Sequence, residues 1–352
     1  SSRFSIFASS FTFYLSYNSF RIAIVPIIHA VRDPALKAIV QKSTPLFYSE
    51  GANLTLDRSA HVRAGSSLSW FGDRLALIQD DANFLVLIEP HTLQADTICL
   101  PVGEGGLREF DDLRGNKRFK LDLEACVTIP TEEGDILLAF GSGSTLYRQK
   151  IVTLQDSITA TPILIEVEAL YEQLRNNTVF AGSELNIEGA TFCNGWVRLF
   201  NRGNGKPQAG WLPVDATCDL AWDELAAYLQ EPHKKPVPQL QQICQYELGT
   251  LEDLRLTFTD ATVAKQNVIF SATAENSPDA SSDGVVAGSV LGILDTEARW
   301  IELRTLDGGL FTSKVEGVCV SRRNANRLYL VIDVDDPTRP CELCEVEIEG
   351  DW

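Results

Sequence analysis

Methionine is missing from all 352 residues, and histidine occurs only four times, at His29, His61, His91 and His233. The missing methionine suggests a sequence that lacks its native start or belongs to a longer chain, and no function follows from it. The shortage of histidine removes whole classes of chemistry. There is no HExxH helix and no Ser-His-Asp set in a workable chain order, and G-x-S-x-G is absent. Neither a zinc protease nor a serine hydrolase is supported. The one CxxC, Cys341 and Cys344, has no second pair and no histidine near it, so a zinc site lacks ligands. Positive charge is also scarce. Thirty Lys and Arg stand against 48 Asp and Glu, a net charge of -18. Such a chain is a poor partner for nucleic acid, whereas calcium is compatible with it. No clean apolar run reaches 18 residues, so no membrane-spanning helix is expected.

What is present indicates a sizeable core, since 45% of residues are hydrophobic and 22% charged. The eight cysteines fall partly inside apolar runs such as ACVTI and GVCV, and read as buried free thiols. The first 32 residues carry Arg3, Arg21 and Arg32, no acid, and much Ser and Phe. Serines interrupt FSIFASSFTFYLSY, so it is no clear secretory signal. Residues 1–44 are therefore read as an N-terminal extension, a targeting or disordered segment. A cytoplasmic location is expected ahead of an exported one, and a monomer ahead of an oligomer.

One pattern recurs along the remainder. It is seen in VRAGSSLSWFGDRLALIQDDANF (62–84), LDLEACVTIPTEEGDILLAFGSGST (121–145), LNIEGATFCNGWVRLFNRGNG (185–205), LTFTDATVAKQNVIFSATAEN (256–276) and KVEGVCVSRRNANRLYLVIDVDD (314–336). Each has a small or acidic residue heading an alternating strand, then a turn, then a second apolar strand ending in a polar loop. The acidic markers are Glu124, Glu188, Asp260 and Glu316, with Ser66 or Ser67 in the first copy. Their spacing of 56 to 72 residues exceeds the roughly 40–50 of one four-stranded blade and leaves room for insertions. VEALYEQLRN (167–176) and WDELAAYLQE (222–231) are the most helix-like segments, each placed between repeats. The fold class is all-β: a single β-propeller over 45–352, of five or alternatively six blades, with short helices inserted between blades. The sixth blade, its marker lost, would be built by residues 40–60 joined to the C-terminal strands, since ring closure pairs one terminus with the other, and CELCEVEIEG is a candidate outer strand.

A propeller's first strands line its axis, so the four markers should ring the channel mouth. The second-strand loops crowd the same mouth. They bring Gln79, Asp80 and Asp81; Ser142, Ser144 and Arg148; Asn201, Arg202 and Asn204; Glu275, Asp279 and Asp283; and Asp333, Asp335 and Asp336, with Lys120 and Lys314 close by. A marker carboxylate either ties adjacent blades by accepting backbone N–H bonds, or faces a ligand or metal. Arg148 and Arg202 could clamp an anion or pair with the ring. DVDDP (333–337) offers Asp333, Asp335 and Asp336 as oxygen ligands for calcium, or is a solvated turn. GSGS (141–144) lacks the lysine and following helix of a P-loop and reads as a blade loop.

KLDLEACVTIP with LLAFGSGST, LNIEGA with LFNRGNG, TFTDATV with DGVVAGSVLGILD, and KVEGV with LVIDVDDPTRP together resemble a bacterial β-propeller family of unknown function, distantly similar to esterase-like phytase propellers. The resemblance covers about 62 to 347. It implies a propeller fold. The phytase comparison implies calcium-assisted hydrolysis of phosphoesters, for which the sequence lacks a dense basic lining. Three readings follow. The leading one binds a small polar ligand, a metal or a partner's loop at the mouth, through Glu124, Glu188, Asp260, Glu316, Arg148, Arg202, Asn201 and Lys314. The second is a calcium-dependent, phosphoesterase-like hydrolase. The third is a structural interaction scaffold.

Overall fold

The computed structural model describes residues 25–156, 161–265, 267–276, 284–294, 297–350 and 352. Asp279 and Asp283 lie outside them. The chain is mostly β and folds into several antiparallel sheets. Five units of four strands follow one another, each an up-and-down meander. The first comprises Gly65–Phe71, Arg74–Gln79, Phe84–Ile88 and Ala95–Cys99. The second comprises Leu123–Thr131, Gly134–Gly141, Lys150–Gln155 and Ile163–Glu166. The third comprises Ile187–Cys193, Trp196–Asn201, Asp215–Ala221 and Gln241–Glu247. The fourth comprises Leu254–Ala264, Asn267–Asn276, Val285–Leu294 and Ala298–Arg304. The fifth comprises Lys314–Val320, Arg327–Asp333 and Glu342–Glu349, and takes its fourth strand, Lys37–Pro45, from the other end of the chain.

In the first, second and third units a two-residue turn joins the first and second strands. Asn194-Gly195 is the clearest, with φ of 51° and 81°, the pattern of a tight hairpin. Apolar residues on both faces of the strands pack neighbouring sheets together. Phe200, Phe258 and Phe270, for example, stack edge to face with centroids 5.2 Å apart across the third and fourth units. Each first strand packs against the first strand of the next unit, and that of the fifth against that of the first. The five inner strands thus surround one axis.

Residues 27–45 correct the expectation of a 44-residue extension. Ile27–His29 runs parallel to Gln241–Glu247, Val31–Arg32 parallel to Ala298–Arg304, and Lys37–Pro45 antiparallel to Glu342–Glu349. This belt stitches the third, fourth and fifth units, and the expected boundary at 44/45 falls inside a strand. The terminus-to-terminus pairing completes the fifth unit, and the described residues form no sixth. CELCEVEIEG is a third strand rather than an outer one. Of the two expected helices, Glu168–Asn176 lies between units, followed by the short helix Thr178–Ala181, whereas Trp222–Gln230 lies inside the third, between its third and fourth strands. All eight cysteines are free, six of them buried.

A polar well at the axis

Every inner strand carries a β-bulge near its start. The register skips one residue between Gly65 and Ser67, Leu123 and Ala125, Ile187 and Gly189, Phe258 and Asp260, and Val315 and Gly317. The skipped residues are Ser66, Glu124, Glu188, Thr259 and Glu316. A bulge opposes two residues to one on the partner and re-aims a side chain. Ser66, Glu124, Glu188 and Glu316 line one polar well of about 80 Å³ at the axis. The fourth marker is therefore Thr259, not Asp260. Aligned on the bulge, the copies read RAGSS, LDLEA, LNIEG, LTFTD and SKVEG. In four of the five copies the residue two places before the bulge residue is polar, namely Asp122, Asn186, Thr257 and Lys314, whereas the first copy has Ala64 there. The sequence carried that signal as polar-x-Glu.

Asp260 sits one layer deeper, in register with Ser67, Ala125, Gly189 and Gly317. Backbones converge there. A Cβ on Gly189 would lie 3.1 Å from the Ala261 nitrogen, and one on Gly317 3.1 Å from the Cα of Ser67. Asp260 is fully buried. It accepts the Val318 N–H at 2.8 Å, the Ser67 hydroxyl at 3.0 Å and the Leu68 N–H at 3.5 Å. Ser67 Oγ in turn accepts the Cys126 N–H at 3.0 Å. Burial pushes the Asp260 carboxyl well above the usual range, against the pull of these donors. One carboxylate thus ties the fourth unit to the first and fifth, and it does not face the well.

Eight carboxylates line the well: Asp80, Asp122, Glu124, Glu188, Glu275, Glu316, Asp333 and Asp335. Five cations join them: Lys117, Lys120, Arg148, Arg202 and Lys314. Each cation already has an acidic partner. Arg202 reaches Glu275 at 2.7 Å and Glu188 at 3.5 Å, and its Nε donates to Thr257 at 3.1 Å. Lys120 bridges Asp80 and Asp122, the latter at 2.6 Å. Arg148 meets Asp122 at 2.9 Å and donates to Ser144 at 2.8 Å. Lys314 meets Glu316 at 2.8 Å and Asp335 at 3.6 Å. Lys117 meets Asp112 at 3.3 Å. The segment carrying Lys117 and Lys120 is anchored from below by Arg63, which binds Asp81, Glu109 and Asp111.

The carboxylates are served unequally. Burial raises the Asp122 carboxyl, but Lys120 and Arg148 outweigh it and hold it below the usual range. Asp122 also accepts the Ser142 hydroxyl, and its φ of 57° is the left-handed region that Asp tolerates. Burial pushes Glu188 up to about 8, with Arg202 opposing and Glu316 adding to the shift. Asn186 Nδ2 donates to Glu188 at 2.6 Å. Burial also raises Glu316, against Lys314 and Arg202. Asp333 rises well above its ordinary value through burial and then Asp335. Glu124 stands apart. It makes neither a hydrogen bond nor an ion pair with any described residue. Burial first, then Asp122, Asp80 and Glu188, push it well above the usual carboxylate range.

The expected site residues therefore divide. Glu124, Glu188, Glu316, Arg148, Arg202 and Lys314 share the well with Asp333 and Asp335. Asn201 does not face it. Its side chain is buried, accepting the Asn186 N–H at 2.8 Å and donating to the Val214 carbonyl at 2.8 Å. Asp336 turns outward to the Thr338 N–H and hydroxyl, so the three aspartates of DVDDP do not converge. Instead Asp80, Asp122 and Glu124 each offer a carboxylate oxygen, all within 4.8 Å of one another. Sequence reasoning had placed Asp80 and Lys120 near the mouth but missed Asp122.

Among curated proteins nothing matches the chain. Several solved structures are loosely similar. The Myxococcus xanthus glutaminyl cyclase aligns over 93% of this chain and 100% of its own, with 10% identity and a TM-score of 0.44. A Trichoderma reesei carbohydrate-active enzyme of family AA12, in its calcium structure, aligns over 93% and 98% with 10% identity and a TM-score of 0.40. A PQQ-bound aldose sugar dehydrogenase from Streptomyces coelicolor aligns over 90% and 99% with 11% identity and a TM-score of 0.35. A family model matches residues 61–348, a span that covers all five bulged inner strands. The chain belongs to that family, the family of unknown function DUF6929.

Proposed function

We propose that this protein is a five-bladed β-propeller that binds a small, positively charged polar ligand in its axial well. The cyclic packing of the five inner strands and the terminus-to-terminus strand pairing support the propeller reading. The observation that carries the ligand reading is Glu124. A partly buried carboxylate crowded by Asp122, Asp80 and Glu188, with neither a hydrogen bond nor an ion pair, is unfavourable unless a cation meets it. With eight carboxylates against five cations, all five already paired, the unmet demand is for positive charge. The space inside the well is small, about 80 Å³, which suits an ion or a ligand of a few atoms.

The converging carboxylates also favour a calcium-dependent phosphoesterase-like hydrolase as a second reading. Against it, no lysine or arginine of the well is left to receive a phosphate. A scaffold that uses only its outer faces would leave Glu124 unexplained. The test is thermal unfolding of the full chain with ethylenediamine, putrescine, calcium chloride or inorganic phosphate. At a hundredfold excess over Kd a ligand adds about 2.7 kcal/mol, or roughly 5 °C in a chain of this size. Cations should raise Tm and phosphate should not. Protection by phosphate alone would overturn the reading.

A further inference from the structure

We propose that Asp80, Asp122 and Glu124 ligate one calcium-sized divalent metal ion, and that the Lys120 ammonium is its built-in competitor. The inference deepens the reading of the well as a cation site and rests on it. The three oxygens lie within 4.8 Å of one another. Calcium takes oxygens at about 2.3–2.6 Å, so oxygens on opposite sides of one ion stand up to about 4.6–5.2 Å apart. Magnesium requires about 2.0–2.1 Å and near-ideal octahedral geometry and keeps several of its waters, so a cluster of three carboxylates suits calcium better. No histidine or cysteine lines the well, which disfavours zinc and copper.

Three further observations point to a missing ligand. Glu124 makes neither a hydrogen bond nor an ion pair with the described residues, and only Lys120 opposes the repulsion of its acidic neighbours. Asp80 Oδ1 is buried without a hydrogen bond. Glu316, also on the wall of the well, is more than nine-tenths buried, yet its Oε2 has no partner either. The second and third are acceptor atoms, the kind a cation satisfies.

Lys120 occupies the position such an ion would take, bridging Asp80 and Asp122. Its single charge and that of Arg148 leave the three carboxylates one negative charge in excess. A divalent ion that displaced the lysine while Arg148 stayed would bring the cluster to neutrality. A lysine suits this exchange, because its flexible stem lets the ammonium swing into water without moving the backbone.

Calorimetry of the full chain with calcium chloride and manganese chloride tests the proposal, on wild type, Lys120→Met and Glu124→Gln. Circular dichroism first confirms that each variant is folded. Wild type should bind with millimolar or better affinity, Lys120→Met about tenfold or more tighter, and Glu124→Gln about tenfold or more weaker. No heat up to about 10 mM metal in both wild type and Lys120→Met, far above the weakest usual calcium sites, would overturn it. Unchanged affinity in Glu124→Gln would overturn it as well. An ethylenediamine arm separates this inference from the broader one. If ethylenediamine protects wild type but not Glu124→Gln while metals do nothing, the well is a cation site and the metal assignment is wrong. If neither class binds, both are wrong.

Discussion

Asp260 and Glu124 differ by one step along equivalent strands and have opposite surroundings. Asp260 lies in the layer of small residues where the inner strands touch, and backbone and hydroxyl donors from two neighbouring units surround it. Glu124 lies on the bulge, one residue nearer the mouth, and has no hydrogen-bond partner. The contrast separates two uses of a carboxylate that look alike in sequence. One satisfies donors of the protein itself and ties units together. The other is held in a polar well with its demand unmet, as a ligand site requires.

The largest effect should come from removing the tie. Asp260→Ala leaves three donors unsatisfied in the dry hub, at about 1–3 kcal/mol each, so a loss of roughly 3 kcal/mol or more is expected in urea unfolding. A loss under about 1 kcal/mol would erase the contrast, since that is what a surface change costs. Next comes Arg202→Ala. It removes the guanidinium that Glu188 and Glu275 share, leaving them the Asn186 and Gly284 N–H donors, and breaking a buried pair in this way costs about 3 kcal/mol, reduced here to the extent that Glu188 takes up a proton. Urea unfolding measured at pH 6 and pH 9 should show the larger loss at pH 9.

A smaller effect concerns pH. Glu188 holds its proton up to about 8 in the folded state, whereas a free glutamate loses it near 4.3. Between those values the native state binds the extra proton, so this group's contribution to stability falls as pH rises through the window. Glu188→Gln should flatten the decline between pH 5 and pH 9, as followed by Tm at each pH. An unchanged slope would mean that Glu188 is ionised throughout.

Much of this architecture was legible in the sequence, and the misses share a physical cause. The five copies stood out because alternation exposes a strand's inward face every second residue. That pattern brought Glu124, Glu188 and Glu316 to one opening. It failed at Asp260, because a bulge inserts one residue and a shift of one moves every later side chain to the other face. The same insertion left Ser66 and Ser67 undecided. The structure gives Ser66 to the well and Ser67 to the hub. Asp122 could have been found by the polar-x-Glu spacing it shares with Asn186 and Lys314. Joining of residues 40–45 to the C-terminal strands was expected, but the pairings of Ile27–His29 and Val31–Arg32 were not legible, since their partners lie more than 200 residues away and parallel edge pairing leaves no local period. For Arg148 and Arg202 the sequence left open whether they clamp an anion or pair with carboxylates of the ring, and both are engaged by carboxylates here.

The most direct measurement is urea unfolding of Glu124→Gln without added ligand. A carboxylate that supports no other group of the protein can lose its charge without harm, and relief of repulsion from Asp80, Asp122 and Glu188 offsets any packing cost. The account expects stability equal to or above wild type. A loss of about 2 kcal/mol or more, the scale of a broken buried hydrogen bond, would contradict it and make Glu124 a tie like Asp260.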